Sequence, residues 1–288
     1  MLLTIGEFMR RFQCALLAAV AVIGFASVAS AAEMPVKAPV YKAPVAEPYW
    51  TGFYVGGNIG YSWGHVDSTA TLPSFVDLGV GPASVVPGTA ISYRNTPQGV
   101  IGGGQIGYDF QVGRWVYGLA VDFQGSGQKD SVNSSSPFEV IFGTADVTGT
   151  RTVTQDTKLN WFGTVRGRIG SVWDGLLLYA TGGLAYGNVS ISGTAANSAN
   201  ATPIGCAGPC PGFANATAFS GSTSKVGWTL GTGIEGVLAN NWTWSVEYLY
   251  FDLGTANFLF NNAGFGPIAV SSRVTDNIVR VGLNYRFH

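Results

Sequence analysis

Two glycine-rich runs in this sequence have the spacing of a dinucleotide-binding loop. They are Gly102-x-Gly104-x-x-Gly107 and Gly231-x-Gly233-x-x-Gly236. In a dinucleotide site such glycines follow a strand and open a helix, whose N-terminus holds the pyrophosphate. Both runs here lie inside segments that alternate apolar and polar residues, and another such segment follows each. We therefore predict no nucleotide and no other cofactor, and we expect these glycines to serve strand curvature and close packing.

Histidine and serine could together support hydrolysis, since a Ser/His pair with an acid is a common nucleophilic site. The chain has two histidines, His65 and His288, which fall at opposite ends of the predicted fold. No Gly-x-Ser-x-Gly nucleophile elbow is present. We therefore predict that the protein is not an enzyme. The enzyme alternative would require an activity that is lost when His65 is replaced.

Cysteine chemistry is limited to Cys206 and Cys210, because Cys14 lies within a predicted signal peptide. Both cysteines fall in the loop-like run 203–212, which is rich in proline and glycine. Exported chains meet an oxidising compartment, in which cysteines pair. We predict a disulfide between them. Two cysteines without a nearby histidine do not suggest a metal site, and none is predicted.

The most informative ionisable residues alternate with apolar ones, as the two faces of a β-strand require. If the apolar residues of each strand face outward, ten of these ionisable residues face the inside of the predicted fold. Turned outward, each Lys or Arg at a bilayer midplane would cost roughly 2–4 kcal/mol. We therefore predict an ionic plug in the lumen. It consists of Asp109, Asp122, Lys158, Arg166, Arg168, Lys225, Glu235, Glu247, Arg280 and Arg286.

Eight segments with this alternation can position those charges. Their outer faces carry Val, Leu, Ile and aromatic residues, as on strands whose outside meets lipid and whose inside is polar. Aromatic residues cluster near the segment ends, including Trp50 and Tyr54, where the lipid–water boundary favours them. The segments are 53–65, 100–112, 114–125, 157–170, 175–187, 224–236, 241–252 and 274–287.

The connections between the segments alternate in length. Short links fall near Gly113, at 171–174 and at 237–240, whereas the links 66–99, 126–156, 188–223 and 253–273 are long. A soluble eight-stranded lipocalin-like barrel would hide its apolar residues inside. The sequence therefore predicts an all-β, eight-stranded antiparallel up-and-down transmembrane β-barrel with short periplasmic turns and four long extracellular loops.

Composition agrees with a membrane barrel. The chain has 288 residues with 41 Gly, 13% aromatic and only 11% charged residues, against about 25% charged in an average soluble domain. No mature stretch reaches the roughly 20 continuous apolar residues of a membrane helix. The net charge of −1 argues against a nucleic-acid partner, which would favour a basic patch.

The N-terminus predicts export. A basic pair, Arg10-Arg11, precedes the apolar run 15–28 and a small-residue cleavage site at Ala31, with Ala32 as the near alternative. Met9 is a candidate initiator. The predicted organisation is a signal peptide at 1–31, a proline-rich periplasmic leader at 32–48 and an outer-membrane barrel at 49–288. The leader is expected to be an extended spacer, with contact of its lysines to the cell wall as the alternative.

Several motifs resemble a family of small alphaproteobacterial outer-membrane proteins, the outer-membrane immunogenic or porin-like proteins. The run Trp50-Thr51-Gly52-Phe53-Tyr54-Val55-Gly56 is similar to that family's opening strand, and 161–170 (WFGTVRGRIG) and 178–187 (LYATGGLAYG) resemble two inner segments. The stretch 281–287 resembles its closing strand, although this chain adds His288 after the final aromatic residue. The resemblance implies an OmpA-like barrel with antigenic surface loops in the bacterial outer membrane.

The leading functional prediction is a structural barrel with a charge-plugged lumen and surface-exposed interaction loops. The alternative is a narrow porin or a small-ligand barrel of the haemin-binding type, which the resemblance suggests for some relatives. The expected partners are outer-membrane lipid and lipopolysaccharide, the barrel-insertion machinery, peptidoglycan through the leader, and surface ligands that the sequence does not identify.

Overall fold

The structure is a computed structural model, and it describes residues 50–77, 84–86, 88–142, 145–203, 213–262 and 266–287. Within these residues the backbone forms strands and no helix. A membrane-spanning α-helix is accordingly absent from this part of the chain. The strands are β1 (Gly52–Leu72), β2 (Phe75–Asp77), β3 (Ser84–Val86), β4 (Thr89–Asn95), β5 (Gln98–Val112), β6 (Trp115–Phe142), β7 (Ala145–Trp173), β8 (Leu176–Pro203), β9 (Phe213–Ala239), β10 (Trp242–Asn262) and β11 (Gly266–Phe287).

The main sheet of the described residues is antiparallel and returns to its first strand. From β5 to β11 each strand pairs with the next in the chain, and β1 pairs with both β5 and β11. The β1–β11 register runs from Phe53 opposite Phe287 to Thr71 opposite Ala269. The fold is thus an all-β, up-and-down, barrel-like sheet, as predicted. It contains nine strands where eight were predicted, because β4 and β5 pair in succession with β1.

Three tight turns join strands at one end, which we call the turn end. Gly113 (φ 59°) lies between β5 and β6, the pair Asp174 (φ 49°) and Gly175 (φ 80°) lies between β7 and β8, and Asn240 (φ 48°) lies between β9 and β10. These are the residue types that tolerate positive φ in two-residue hairpins, whose twist matches that of the flanking strands. The three short links therefore fall where the sequence predicted them.

The half of the sheet next to the turn end carries its apolar side chains on the outside. Phe53, Leu119, Val226, Leu230 and Phe287 are among the residues that are more than half exposed there. Exposed side chains alternate with buried ones along each strand, as a sheet with two different faces requires. This alternation gives the sheet an apolar outer band of the kind that meets lipid.

The strands are longer than predicted, and this corrects the four predicted long loops. The links 66–99, 126–156, 188–223 and 253–273 are mostly strand in the described residues, and β6 to β9 have 28, 29, 28 and 27 residues. A tilted membrane strand needs only about 9–11 residues. The remaining residues extend the sheet by roughly 50 Å beyond the apolar band. We call this part the extension.

Within the described residues the extension divides into two sheets. The β9–β10 pairing ends at Trp228 opposite Asp252, whereas β8–β9 pairing continues to Phe213 and β10–β11 pairing to Asn262. On the other side, β5–β6 pairing ends at Gln98 opposite Lys129. The far halves of β6, β7, β8 and β9 therefore form one sheet, and those of β10, β11, β1 and β4 form the other.

The two sheets of the extension pack face to face over an apolar core. Phe219 of the first sheet lies 5.0 Å, between ring centroids, from Phe260 of the second. The Tyr93 hydroxyl donates to Gln155 Oε1 at 2.5 Å between the same two sheets, and burial raises the pKa of Tyr93 above its ordinary value. The fully buried members of this core include Val66, Val153, Val189, Ile191, Ile268 and Val270.

The polarity of the sheet thus inverts along its length. Beside the turn end the outside is apolar, whereas in the extension the inside is apolar and the outside carries polar residues such as Ser92, Arg94, Asp156 and Ser271. This inversion is the arrangement expected if the first half lies in lipid and the second half in water.

Candidate functional site: the charges of the lumen

Four charged side chains meet inside the apolar band, and we call them the mid-lumen quartet. Arg166 donates to Asp122 Oδ2 at 2.8 Å and to Glu247 Oε1 at 2.6 Å. Arg280 donates to the same two carboxylates, at 3.0 Å to Asp122 Oδ2 and at 2.7 Å from Nε to Glu247 Oε2. Each guanidinium therefore bridges both acids, and every member is buried.

A second set of four, the turn-end quartet, repeats this arrangement nearer the tight turns. Arg168 contacts Asp109 and donates to Glu235 Oε2 at 3.0 Å. Arg286 donates to Asp109 Oδ2 at 2.8 Å and to Glu235 Oε1 at 3.0 Å. Thr243 donates a further hydrogen bond to Glu235 Oε1 at 2.6 Å. Each acid is again shared by two arginines.

The alternation of each strand places these groups on one face, and the strand order brings them together. The mid-lumen quartet comes from β6, β7, β10 and β11, and the turn-end quartet from β5, β7, β9 and β11. Each quartet contains two cations and two anions, so its formal charge is zero. Buried charges are tolerated only when they are paired and hydrogen-bonded. Both quartets satisfy that condition across strands that are distant in the sequence.

Eight of the ten predicted plug residues are therefore found together inside: Asp109, Asp122, Arg166, Arg168, Glu235, Glu247, Arg280 and Arg286. Lys225 is half-buried on the inward-facing side of β9, and no ion pair joins it to a carboxylate of the described residues. It belongs to neither quartet.

Lys158 does not lie inside, which corrects its predicted orientation. Its side chain is exposed on the outer face, and the adjacent Leu159 is buried instead. The cause is an irregularity in β7, where the pairing register shifts between Leu159 and Trp161. One extra residue in a strand moves every residue beyond it to the opposite face.

Aromatic side chains close the turn end of the lumen. Trp50 and Tyr54 are buried, not placed at a lipid boundary as predicted, and the Arg286 guanidinium lies 4.6 Å from the Trp50 ring centroid and 5.1 Å from that of Tyr54. Val116, Val172, Leu177 and Tyr179 pack with Trp50 in a small apolar cluster. Strand parity places Tyr54 on the same face of β1 as the inward residues. This parity is the sequence signal from which its burial could have been predicted.

A buried carboxylate beyond the mid-lumen quartet was missed by the sequence analysis. Asp276 accepts hydrogen bonds from Ser62 Oγ and from Gln128 Nε2, both at 2.6 Å, and its side chain is almost fully buried. No cation of the described residues lies within ion-pair distance of it. Elsewhere on the inner face, both polar ends of Asn58 and of Gln124 have no hydrogen-bond partner among the described residues. Such groups are expected to bind trapped water.

The structure does not bring the remaining candidate residues together into a catalytic or metal-binding group within its described part. His65 is exposed on the outer face of β1, and no group of three or more metal-binding side chains occurs within the described residues. The predicted disulfide of Cys206 and Cys210, the cleavage residues Ala31 and Ala32, the leader at 32–48 and His288 all lie outside the described residues. They stay predictions.

A lipid-compatible outer band around a charge-filled, barrel-like interior defines an outer-membrane β-barrel. The chain belongs to the family described as "Outer membrane protein beta-barrel domain", whose model matches residues 18–287. Its location is the bacterial outer membrane.

Relatives with known names agree with this assignment. The chain is 36% identical to the 31 kDa outer-membrane immunogenic protein of Brucella melitensis, over 91% of this chain and 95% of that protein. It is 27% identical to the 22 kDa outer membrane protein of Rhizobium leguminosarum bv. viciae, over 83% and 78% respectively. Among solved structures, OprG from Pseudomonas aeruginosa matches 84% of this chain and 99% of its own, with 11% identity and a TM-score of 0.38. The family match and the identity to the Brucella melitensis protein confirm, at the level of the family, the resemblance expected from the sequence motifs.

Proposed function

We propose that this protein is a structural outer-membrane barrel that is closed to flow and that carries a rigid β-sheet extension outside the cell. In this proposal the turn end faces the periplasm, because outer-membrane barrels have short periplasmic turns and longer extracellular parts. In this proposal the barrel has eight strands, namely β1 and β5 to β11. The short strand β4 is counted with β5 as one interrupted strand, because both pair with β1 in succession.

The observation that carries the proposal is the pair of neutral quartets. An eight-stranded barrel has an interior just wide enough to be filled by its own side chains. The guanidinium groups of Arg166, Arg168, Arg280 and Arg286 cross that interior from β7 and β11 to acids on other strands. Beyond them, Ile101, Phe162, Leu249, Phe251 and Ile278 are buried in the apolar core. An ion would have to break salt bridges and then cross an apolar layer.

The extension supports the second part of the proposal. Two packed sheets with an apolar core form a stable platform, whereas polar loops alone would be mobile. The outer faces of these sheets carry polar residues such as Ser92, Arg94 and Ser271. We propose that these polar outer faces are what the surroundings meet. The relatives named immunogenic support a surface-exposed, antigenic role.

Conductance in planar lipid bilayers tests closure. We expect the full chain to show no steady openings, and the paired change Arg166→Ala with Arg280→Ala to raise only brief, irregular events. Steady wild-type openings whose size changes in Arg166→Ala would contradict the proposal and favour the narrow-pore alternative. Gel migration before and after heating would establish that each variant is folded in the membrane.

The absence of enzymatic activity is part of the proposal. It is supported by the relatives, which are named as outer-membrane immunogenic proteins, and by the exposed position of His65 on the outer face of β1. The haemin-type ligand, the insertion machinery and the contact of the leader with peptidoglycan stay predictions, since no structural observation favours them.

A further inference from the structure

Two lysines with the same charge face each other on the outside of the sheet. Lys129 of β6 and Lys158 of β7 are direct cross-strand partners, and both side chains are exposed. Directly opposite residues in an antiparallel pair have Cβ atoms about 4.5–5.5 Å apart, and like charges in these positions are destabilising. Such a pair is stable only where water or an anion compensates it.

The acids nearest in the sequence, Asp130 and Asp156, keep their charges but are hydrogen-bonded by neutral donors and not by the lysines. Asp130 accepts hydrogen bonds from the backbone N–H groups of Thr96, at 2.6 Å, and Ser131, at 2.9 Å. Asp156 is hydrogen-bonded by the Ser131 hydroxyl. Neither acid forms an ion pair with either lysine in the described part of the chain. The two lysines, the two acids and Ser131 line a groove of about 440 Å³ on the outer surface.

The groove lies immediately beyond an aromatic row of the apolar band. Phe123 and Trp161 stack with ring centroids 5.5 Å apart, and Trp161 meets Tyr186 at 6.2 Å. These residues belong to β6, β7 and β8, the same strands that carry the lysines and their neighbour Ser190. Aromatic rings of this kind mark the boundary between hydrocarbon and headgroups. The lysines are therefore at headgroup level.

Polar side chains extend the groove sideways at this level. Asn160 Nδ2 donates to Asn188 Oδ1 at 2.8 Å and to Ser190 Oγ at 2.6 Å, and all three residues are on the outer surface. Asn188 Nδ2 in turn donates to Ser224 Oγ at 3.4 Å. A row of amides and hydroxyls beside a cationic pair can hydrogen-bond both a phosphate and the hydroxyls of an attached sugar.

We propose that Lys129 and Lys158 bind a phosphate group of an outer-leaflet glycolipid. The phosphate lies between the two ammonium groups, the sugar contacts Asn160 and Ser190, and the acyl chains lie along the aromatic row. A free phosphate ion would use only the lysines, whereas the adjacent apolar and polar surfaces match a lipid that carries phosphate, sugar and hydrocarbon together. The inference rests on the proposed orientation, in which this level belongs to the outer leaflet.

Binding of fluorescent lipopolysaccharide to the folded full-length protein in detergent micelles tests the site. We expect the double substitution Lys129→Gln with Lys158→Gln to weaken binding about 20-fold. The reason is that it removes two basic residues, each of which adds to the attraction for an anionic lipid surface. The double substitution Lys129→Arg with Lys158→Arg should retain binding. The matched control is Arg94→Gln with Arg273→Gln, which removes two exposed cations that already have acid partners, Asp67 and Asp252. It should bind as the wild type does.

The ligand is varied in the same experiment. Lipopolysaccharide freed of its phosphates should bind wild type and the Gln variant equally weakly. Equal binding of phosphorylated and dephosphorylated forms by the wild type would overturn the proposal, and so would displacement by millimolar inorganic phosphate. Protease accessibility of the two ends in intact cells tests orientation separately. If the turn end proves external while micelle binding persists, the orientation fails and the lysine site remains an anion site without its outer-leaflet ligand.

Discussion

Arg286 holds the ring and the backbone of Trp50 at the same time. Its guanidinium lies 4.6 Å from the centre of the indole, and its Nη1 donates to the Trp50 carbonyl oxygen at 2.9 Å. The backbone N–H of Trp50 donates to Gln111 Oε1 at 2.8 Å. The first described residue before β1 is thereby fixed to the last strand, beside the place where the ring of pairings closes.

Replacing Trp50 by alanine should destabilise the protein by about 3–5 kcal/mol, the usual cost of deleting a large buried aromatic side chain. The change Trp50→Phe should recover more than half of that loss, since it keeps a ring under Arg286. Unfolding in urea, followed in lipid vesicles, measures both. If Trp50→Ala proved as stable as the wild type, Trp50 would not be a structural closure of the turn end.

The mid-lumen quartet predicts strong coupling between Arg280 and Glu247. Arg280→Met alone leaves a carboxylate buried without full compensation and should cost about 3–5 kcal/mol. The double change Arg280→Met with Glu247→Leu removes one charge of each sign and should cost clearly less than the sum of the two single changes. A double-mutant cycle by urea unfolding measures this coupling. Additive losses would show that the two residues do not act as a pair, and Arg114→Met at a tight turn should change little.

Much of this network could be predicted from the sequence, and the reason is the strict period of two. In each strand the apolar face is assigned to lipid, so the alternate residues, among them Asp109, Asp122 and Glu247, are placed inward together with Arg280 and Arg286. Which acid meets which arginine depends on strand register and barrel stagger, which the period does not give. The shared bridging of each acid by two arginines therefore required the structure.

Two other features were not predictable for different reasons. The irregularity beside Lys158 shifts the register by one residue. The only local sign of it is the consecutive apolar pair Trp161-Phe162, which does not by itself show on which side of the break the faces exchange. The extension was missed because Ser, Thr, Gly, Ala and Asn are typical of loops. Its strands nevertheless retain a period of two, with Val153, Ile191 and Phe219 among the inward residues.

The close approach of Gly118 to the turn-end quartet gives a steric prediction. A Cβ atom on Gly118 would meet Asp109 Oδ1 and would lie 3.0 Å from Arg168 Cγ. Gly118→Ala should therefore displace this ion pair and cost about 1–3 kcal/mol. Gly125→Ala on the same strand is the control, because its nearest contact would be 3.7 Å away. Equal unfolding midpoints for the two variants would contradict the packing described for Asp109.

Asp276 should behave in the opposite way to the quartet acids. Its carboxylate is buried with hydrogen bonds from Ser62 and Gln128 but with no described cation beside it. In Asp276→Asn the amide oxygen can keep the hydrogen bonds from Ser62 and Gln128 while the buried charge is removed, but the bond from the Asn277 backbone N–H to the other carboxylate oxygen is lost. We therefore expect a net gain below about 1 kcal/mol at neutral pH. Asp122→Asn should lose stability instead. Urea unfolding of the two variants decides, and a comparable loss in both would show that Asp276 has a compensating partner.

The extension should open without unfolding the rest of the sheet. Phe219 and Phe260 join its two sheets across the seam where β9 and β10 no longer pair. Phe219→Ala removes that contact from an apolar core that is separate from the quartets, so local opening becomes easier while the lipid-facing half keeps its own pairings. We expect proteolysis of the extension to accelerate more than tenfold, and the unheated protein to migrate on a gel as a folded barrel. The control is Val226→Ala, which alters an exposed residue of the same strand and should not change the cleavage rate. If Phe219→Ala instead lowered the unfolding midpoint of the whole protein by the same amount as Arg280→Met, the extension and the membrane half would form one cooperative unit.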